Sequence, residues 1–78
     1  MAASDAPAAP PEVRRANEIA AQFEAAEPAA AAAAIAAHVR SFWDPRMRHA
    51  LVSYARAGAA GLEPSVLAAV TLLEQNQD

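Results

Sequence analysis

The chain of 78 residues has no cysteine, no lysine, only two glycines and only four aromatic side chains. Without thiols it cannot form disulfides, use a nucleophilic cysteine or hold an iron–sulfur cluster through thiolates. Its longest apolar run, Ala29 to Ala37, is much shorter than the ~20 residues of a membrane-spanning helix. Residues 1–11 lack the basic and apolar regions of a signal peptide. We therefore expect a cytoplasmic protein that does not contact a membrane.

Charge and size limit the function further. Six arginines against nine acidic residues give a net charge of −3 and a pI near 5.2, whereas nucleic-acid binders usually carry a basic face. Alanine supplies much of the 55% hydrophobic fraction, so few large apolar side chains remain. They suffice for one thin core, but not also for a substrate cavity of ~300 Å³ or more. We expect a small domain with little spare stability and no catalytic activity of its own.

The apolar pattern predicts helices throughout. No segment alternates with period two, whereas apolar residues recur at helical spacing from Pro11 onward. Residues 2–10 are small, polar or proline and offer nothing to bury. The sequence thus predicts an all-α fold: a small bundle of about four short helices in one domain (11–78), after a disordered tail (1–10). Proline suits the first helical turn, so we expect the helices to begin at Pro11, Pro28, Pro45 and Pro64.

Local signals refine these helices. Asp44 is a good N-cap for the third helix, and Gly58 is placed to take a positive φ after its end. The alanine run 29–34 has high helix propensity and is expected to bury almost no side-chain surface; close contact with another helix is the alternative. The inner faces are predicted to be Val13, Ala16, Ile19, Ala20 and Phe23, then Ile35, Val39, Phe42 and Trp43, then Met47, Leu51 and Tyr54, and finally Val66, Ala69, Val70 and Leu73.

The stretch from Ile35 to Arg48, IAAHVRSFWDPRMR, resembles the signature of formate dehydrogenase delta subunits. The segment 16–23 is similar to the N-terminal helix of that family, and the segment 58–70 to its C-terminal part. Arg15, where a methionine is expected, and Glu24, where an apolar residue is expected, depart from the pattern; Ala59 and Ser65 are further departures.

The resemblance implies an accessory subunit of a soluble NAD-dependent formate dehydrogenase. In that family picture a large catalytic subunit carries a molybdenum- or tungsten-pterin centre that oxidises formate to carbon dioxide. Iron–sulfur clusters then pass electrons to a flavin (FMN) subunit that reduces NAD. The delta subunit carries no cofactor and helps to assemble or stabilise the complex by packing on the large subunit.

Candidate partner-binding residues cluster around the Asp44-Pro45 pair. Trp43 is either a core anchor or an interface hot spot, since large aromatic residues dominate both settings. We assign Phe42 to the core and Trp43 to the interface. Arg46 and Arg48 are either solvated, one of them paired with Asp44, or docked bidentately on partner carboxylates. The predicted surface is Asn17, Trp43, Pro45, Arg46, Met47 and Arg48, with Asn17 otherwise an ordinary surface amide.

Two other functions compete with this one. The third and fourth helices could form a helix-turn-helix that binds nucleic acid, although the net charge and a long predicted turn oppose it. A stand-alone enzyme would need a general acid or base in a pocket, or a metal site. His38 and His49 are the only histidines, and neither has a second ligand at metal-binding spacing.

Overall fold

The structure, a computed structural model, describes residues 10–58 and 60–75. The predicted tail lies outside these residues except for Pro10, so the division into tail and domain stays a prediction. Within the described residues there are four helices and no strand, which confirms the all-α prediction. They are α1 (Pro11–Ala21), α2 (Pro28–Phe42), α3 (Pro45–Arg56) and α4 (Pro64–Gln75).

All four helices begin with proline, as predicted. The ring sets φ near the helical value, and the N–H that proline lacks would have no partner in the first turn. The end of α3 is also confirmed, because Gly58 follows it with a φ of 140°. Gly61, in the same connection, has a φ of 81°. Both values lie where a side chain would strain the backbone, so the α3–α4 connection depends on glycine.

The core draws its largest fully buried side chains from every helix. They are Val13 of α1, Ile35 and Val39 of α2, Leu51 of α3 and Val66 of α4. The helix pair with the most extensive contact is α2 and α4. The buried side chains of α4 are the predicted ones, namely Val66, Ala69, Val70 and Leu73.

The alanine run buries more than expected. Ala31 and Ala32 are 4% and 3% exposed, so the prediction of almost no burial for residues 29–34 is wrong at these positions. Alanine suits these buried positions, because a small side chain lets the backbone of a helix lie close to its neighbours. The run therefore belongs to the packed part of α2.

Candidate partner-binding surface

The corner between α2 and α3 is made by two extended residues. Trp43 has φ −94° and ψ 141°, and Asp44 has φ −74° and ψ 164°. Pro45 accounts for the extended conformation of Asp44, because proline disfavours helical conformation in the residue before it. The carboxylate of Asp44 accepts a hydrogen bond of 2.8 Å from the backbone N–H of Met47. This hydrogen bond confirms Asp44 as the N-cap of α3. The Asp44 carboxylate is thus already bound by a group of its own chain.

The two neighbouring aromatic residues at this corner have opposite environments. Trp43 is 8% exposed and belongs to the core, whereas Phe42 is 76% exposed. The assignment of Phe42 to the core is therefore wrong, because its ring is mostly exposed. The indole of Trp43 packs in the core, and the partner-binding role predicted for Trp43 stays a prediction.

The helical spacing of α2 predicts the opposite burial of Phe42 and Trp43, but the sequence-based assignment of these two residues did not use it. Trp43 follows Val39 by four residues and Ile35 by eight, so it lies on the same face of α2 as these two buried residues. Phe42 follows the exposed His38 by four residues and lies on a neighbouring line. The rings of Phe42 and His38 are in contact, with centroids 4.9 Å apart and planes tilted by 41°. Phe42 is thus an exposed apolar side chain whose ring contacts the ring of His38.

The remaining predicted residues of the corner lie at the start of α3. Pro45 and Arg46 are exposed, Arg48 is half-buried, and Met47 is half-buried against the core. An ion pair joins Arg56 to Glu74 at 2.6 Å, and within the described residues neither Arg46 nor Arg48 has a carboxylate partner. The suggested pairing of one of them with Asp44 is not found. We call Phe42, Pro45, Arg46 and Arg48 the corner surface.

Asn17 has a different position from the other predicted residues. Its Nδ2 donates a hydrogen bond of 2.8 Å to the carbonyl of Gly61, and its Oδ1 accepts one of 3.0 Å from the N–H of Glu63. Tyr54 reinforces the same connection by donating from its hydroxyl to the carbonyl of Ala60 at 2.7 Å. Asn17 is therefore not an ordinary surface amide: it joins α1 to the α3–α4 connection.

The sequence also matches a known family. Residues 13–70 match the model of the NADH-dependent formate dehydrogenase delta subunit, FdsD. The chain belongs to this family. No curated protein and no solved structure matches the chain significantly. The matched range contains the whole corner surface, Asn17 and the connection that Asn17 holds, so the delta-subunit family covers every predicted partner-binding residue.

Charge is distributed unevenly along this delta-subunit chain. Residues 38–49 contain three arginines and one aspartate, a net charge of +2. Since the whole chain carries −3, the remainder carries −5. The corner is thus the basic part of an acidic subunit. Like-charged arginines without carboxylate partners favour an acidic surface as their counterpart.

A groove beside Asn17 is a second candidate site. Its volume of about 350 Å³ exceeds the ~300 Å³ that was not expected in so small a chain, although the groove is open to solvent rather than enclosed. The N-terminal ends of α2 and α4 line it through Pro28 and Pro64, and Glu24 and Glu63 are its titratable residues. Across the described residues, no three histidine, cysteine or acidic side chains are grouped so that they could hold a metal ion. The lining of the groove thus combines small apolar residues with the carboxylates of Glu24 and Glu63.

Two further findings concern membrane spanning and the helix-turn-helix alternative. In the part of the chain that the structure describes, no helix combines the length and apolar character needed to cross a bilayer. The connection between α3 and α4 covers residues 57–63, which is longer than the three or four residues of a helix-turn-helix. The nucleic-acid alternative thus gains no support from the geometry.

Proposed function

We propose that the chain is a non-catalytic accessory subunit that assembles or stabilises the pterin-containing catalytic subunit of a formate dehydrogenase. The observation that supports this is the match to the delta-subunit family over residues 13–70. The large subunit is the proposed partner, and the complex is placed in the cytoplasm. The molybdenum- or tungsten-pterin, the iron–sulfur clusters, FMN and NAD belong to the other subunits in this proposal.

The chemistry of the chain agrees with a structural role. Iron–sulfur clusters need thiolate ligands, and the chain has no cysteine. The groove beside Asn17 combines two carboxylates with small apolar residues, but no histidine lines it. What the chain does present is a basic corner with an exposed aromatic ring, and aromatic residues and arginine are the types enriched at protein interfaces.

The proposal is tested by expressing the catalytic subunits with and without this chain. With the chain, we expect a higher yield of intact, pterin-loaded complex, and the chain should co-purify in fixed proportion. Adding the purified chain to a complex made without it distinguishes stabilisation from help during assembly. Equal yield, pterin content and thermal stability with and without the chain would refute an assembling or stabilising role.

A further inference from the structure

The most exposed large apolar side chain in the described residues is Phe42, at 76%, followed by Leu67 at 37%. Phe42 is the last residue of α2, so it projects at a corner rather than from the middle of a helix. Its ring is in contact with the ring of His38, with the centroids 4.9 Å apart. Aromatic side chains bring a large, rigid contact area at a low cost in conformational freedom, a property of interface anchors.

Basic side chains accompany this ring. Arg46 follows Phe42 by four residues, which limits the separation of their Cα atoms to roughly 14 Å. Arg46 is exposed, Arg48 is half-buried, and the described residues provide neither with a carboxylate partner. The carboxylate in the same segment, Asp44, is engaged by the N–H of Met47. The corner thus combines one apolar projection with unneutralised positive charge.

We propose that Phe42 is the anchor of the corner surface and enters an apolar pocket rimmed by carboxylates on the catalytic subunit. This inference rests on the proposed function and assigns to Phe42 the role that the sequence alone suggested for Trp43. The positive charge of the corner surface favours the catalytic subunit as the partner over a second copy of this chain. In a two-fold symmetric contact the same basic segment would meet itself, so positive charge would face positive charge.

The test titrates the full chain into a purified formate dehydrogenase complex that was produced without it. Phe42→Ala should raise Kd by at least about tenfold, the effect of truncating an interface hot spot. Leu67→Ala is the matched control, since Leu67 is also exposed but lies on α4; its Kd should change by less than about twofold. Circular dichroism should show the same helix content for both variants, because neither side chain is part of the core.

The arginines provide a second measurement. Arg46→Glu should weaken binding by about tenfold at low salt, and less at 0.5 M NaCl, where surface charges are screened. Wild-type binding with an unchanged Kd for Phe42→Ala overturns the anchor while leaving the proposed function intact. Absence of wild-type binding counts against the proposed function itself. Sedimentation that reveals self-association dependent on Phe42 would assign the corner to a second copy and overturn the inference.

Discussion

The two connections on either side of α3 are built in different ways. The α2–α3 corner has two residues, is capped by its own Asp44, and leaves Phe42 and Arg46 exposed. The α3–α4 connection is longer, and remote side chains, Asn17 and Tyr54, occupy its backbone carbonyls at Gly61 and Ala60. The first connection is capped within its own segment and anchored by the buried indole of Trp43, and the flanking residues Phe42 and Arg46 are exposed and available for a partner. The second is committed to the fold.

The two aromatic residues at the corner differ in burial, and this difference gives the largest expected effect of a substitution on stability. Trp43→Ala should lower the free energy of unfolding by roughly 3–5 kcal/mol, because it removes a buried ring and leaves a cavity. Phe42→Ala should lower it by less than about 0.5 kcal/mol, because the ring is mostly solvated. Urea unfolding of the full chain measures both values. Similar losses for the two variants would contradict the opposite burial of the rings.

The hydrogen bonds of Asn17 give the next effect. Asn17→Ala should cost about 2 kcal/mol, because it removes two hydrogen bonds to backbone groups of the α3–α4 connection. Gln22→Ala is the matched control: Gln22 carries the same amide at the end of α1 but is exposed, so its loss should cost less than about 0.5 kcal/mol. If both variants unfolded at the same urea concentration, Asn17 would be the surface amide of the sequence-based alternative.

The smallest effect concerns the cap of α3. Asp44→Ala should cost about 1 kcal/mol, because the N–H of Met47 loses its side-chain acceptor. Asp44→Asn keeps an oxygen at the same position and should recover most of the loss. Thermal unfolding of the three proteins in parallel checks this. An equal melting temperature for Asp44→Ala and the wild type would mean that the cap contributes nothing to the corner.

The elements of the fold were largely predictable because local signals determine them. Proline marks the start of each helix, and Asp44 and Gly58 act within a few residues of their own positions. The burial of α4 followed from helical spacing alone. These features depend on chain geometry near each residue, which the sequence records directly.

The site was predicted less well because it depends on tertiary contacts. Asn17 lies 44 residues from Gly61, and no local pattern indicates that hydrogen bond. Phe42 and Trp43 are adjacent and both strongly apolar, so composition does not distinguish them; the line through Ile35 and Val39 does. Ala31 and Ala32 are buried by tertiary packing, which the alanine run itself does not encode.

The central claim is that the α2–α3 corner faces the catalytic subunit while the α3–α4 connection serves the fold. Hydroxyl-radical footprinting of the free chain and of the assembled complex tests it most directly, because it reports the solvent access of individual side chains. We expect strong labelling of Phe42 in the free chain and marked protection in the complex, with little labelling of Trp43 in either. Equal labelling of Phe42 in both states would show that the corner remains in solvent and would contradict the account.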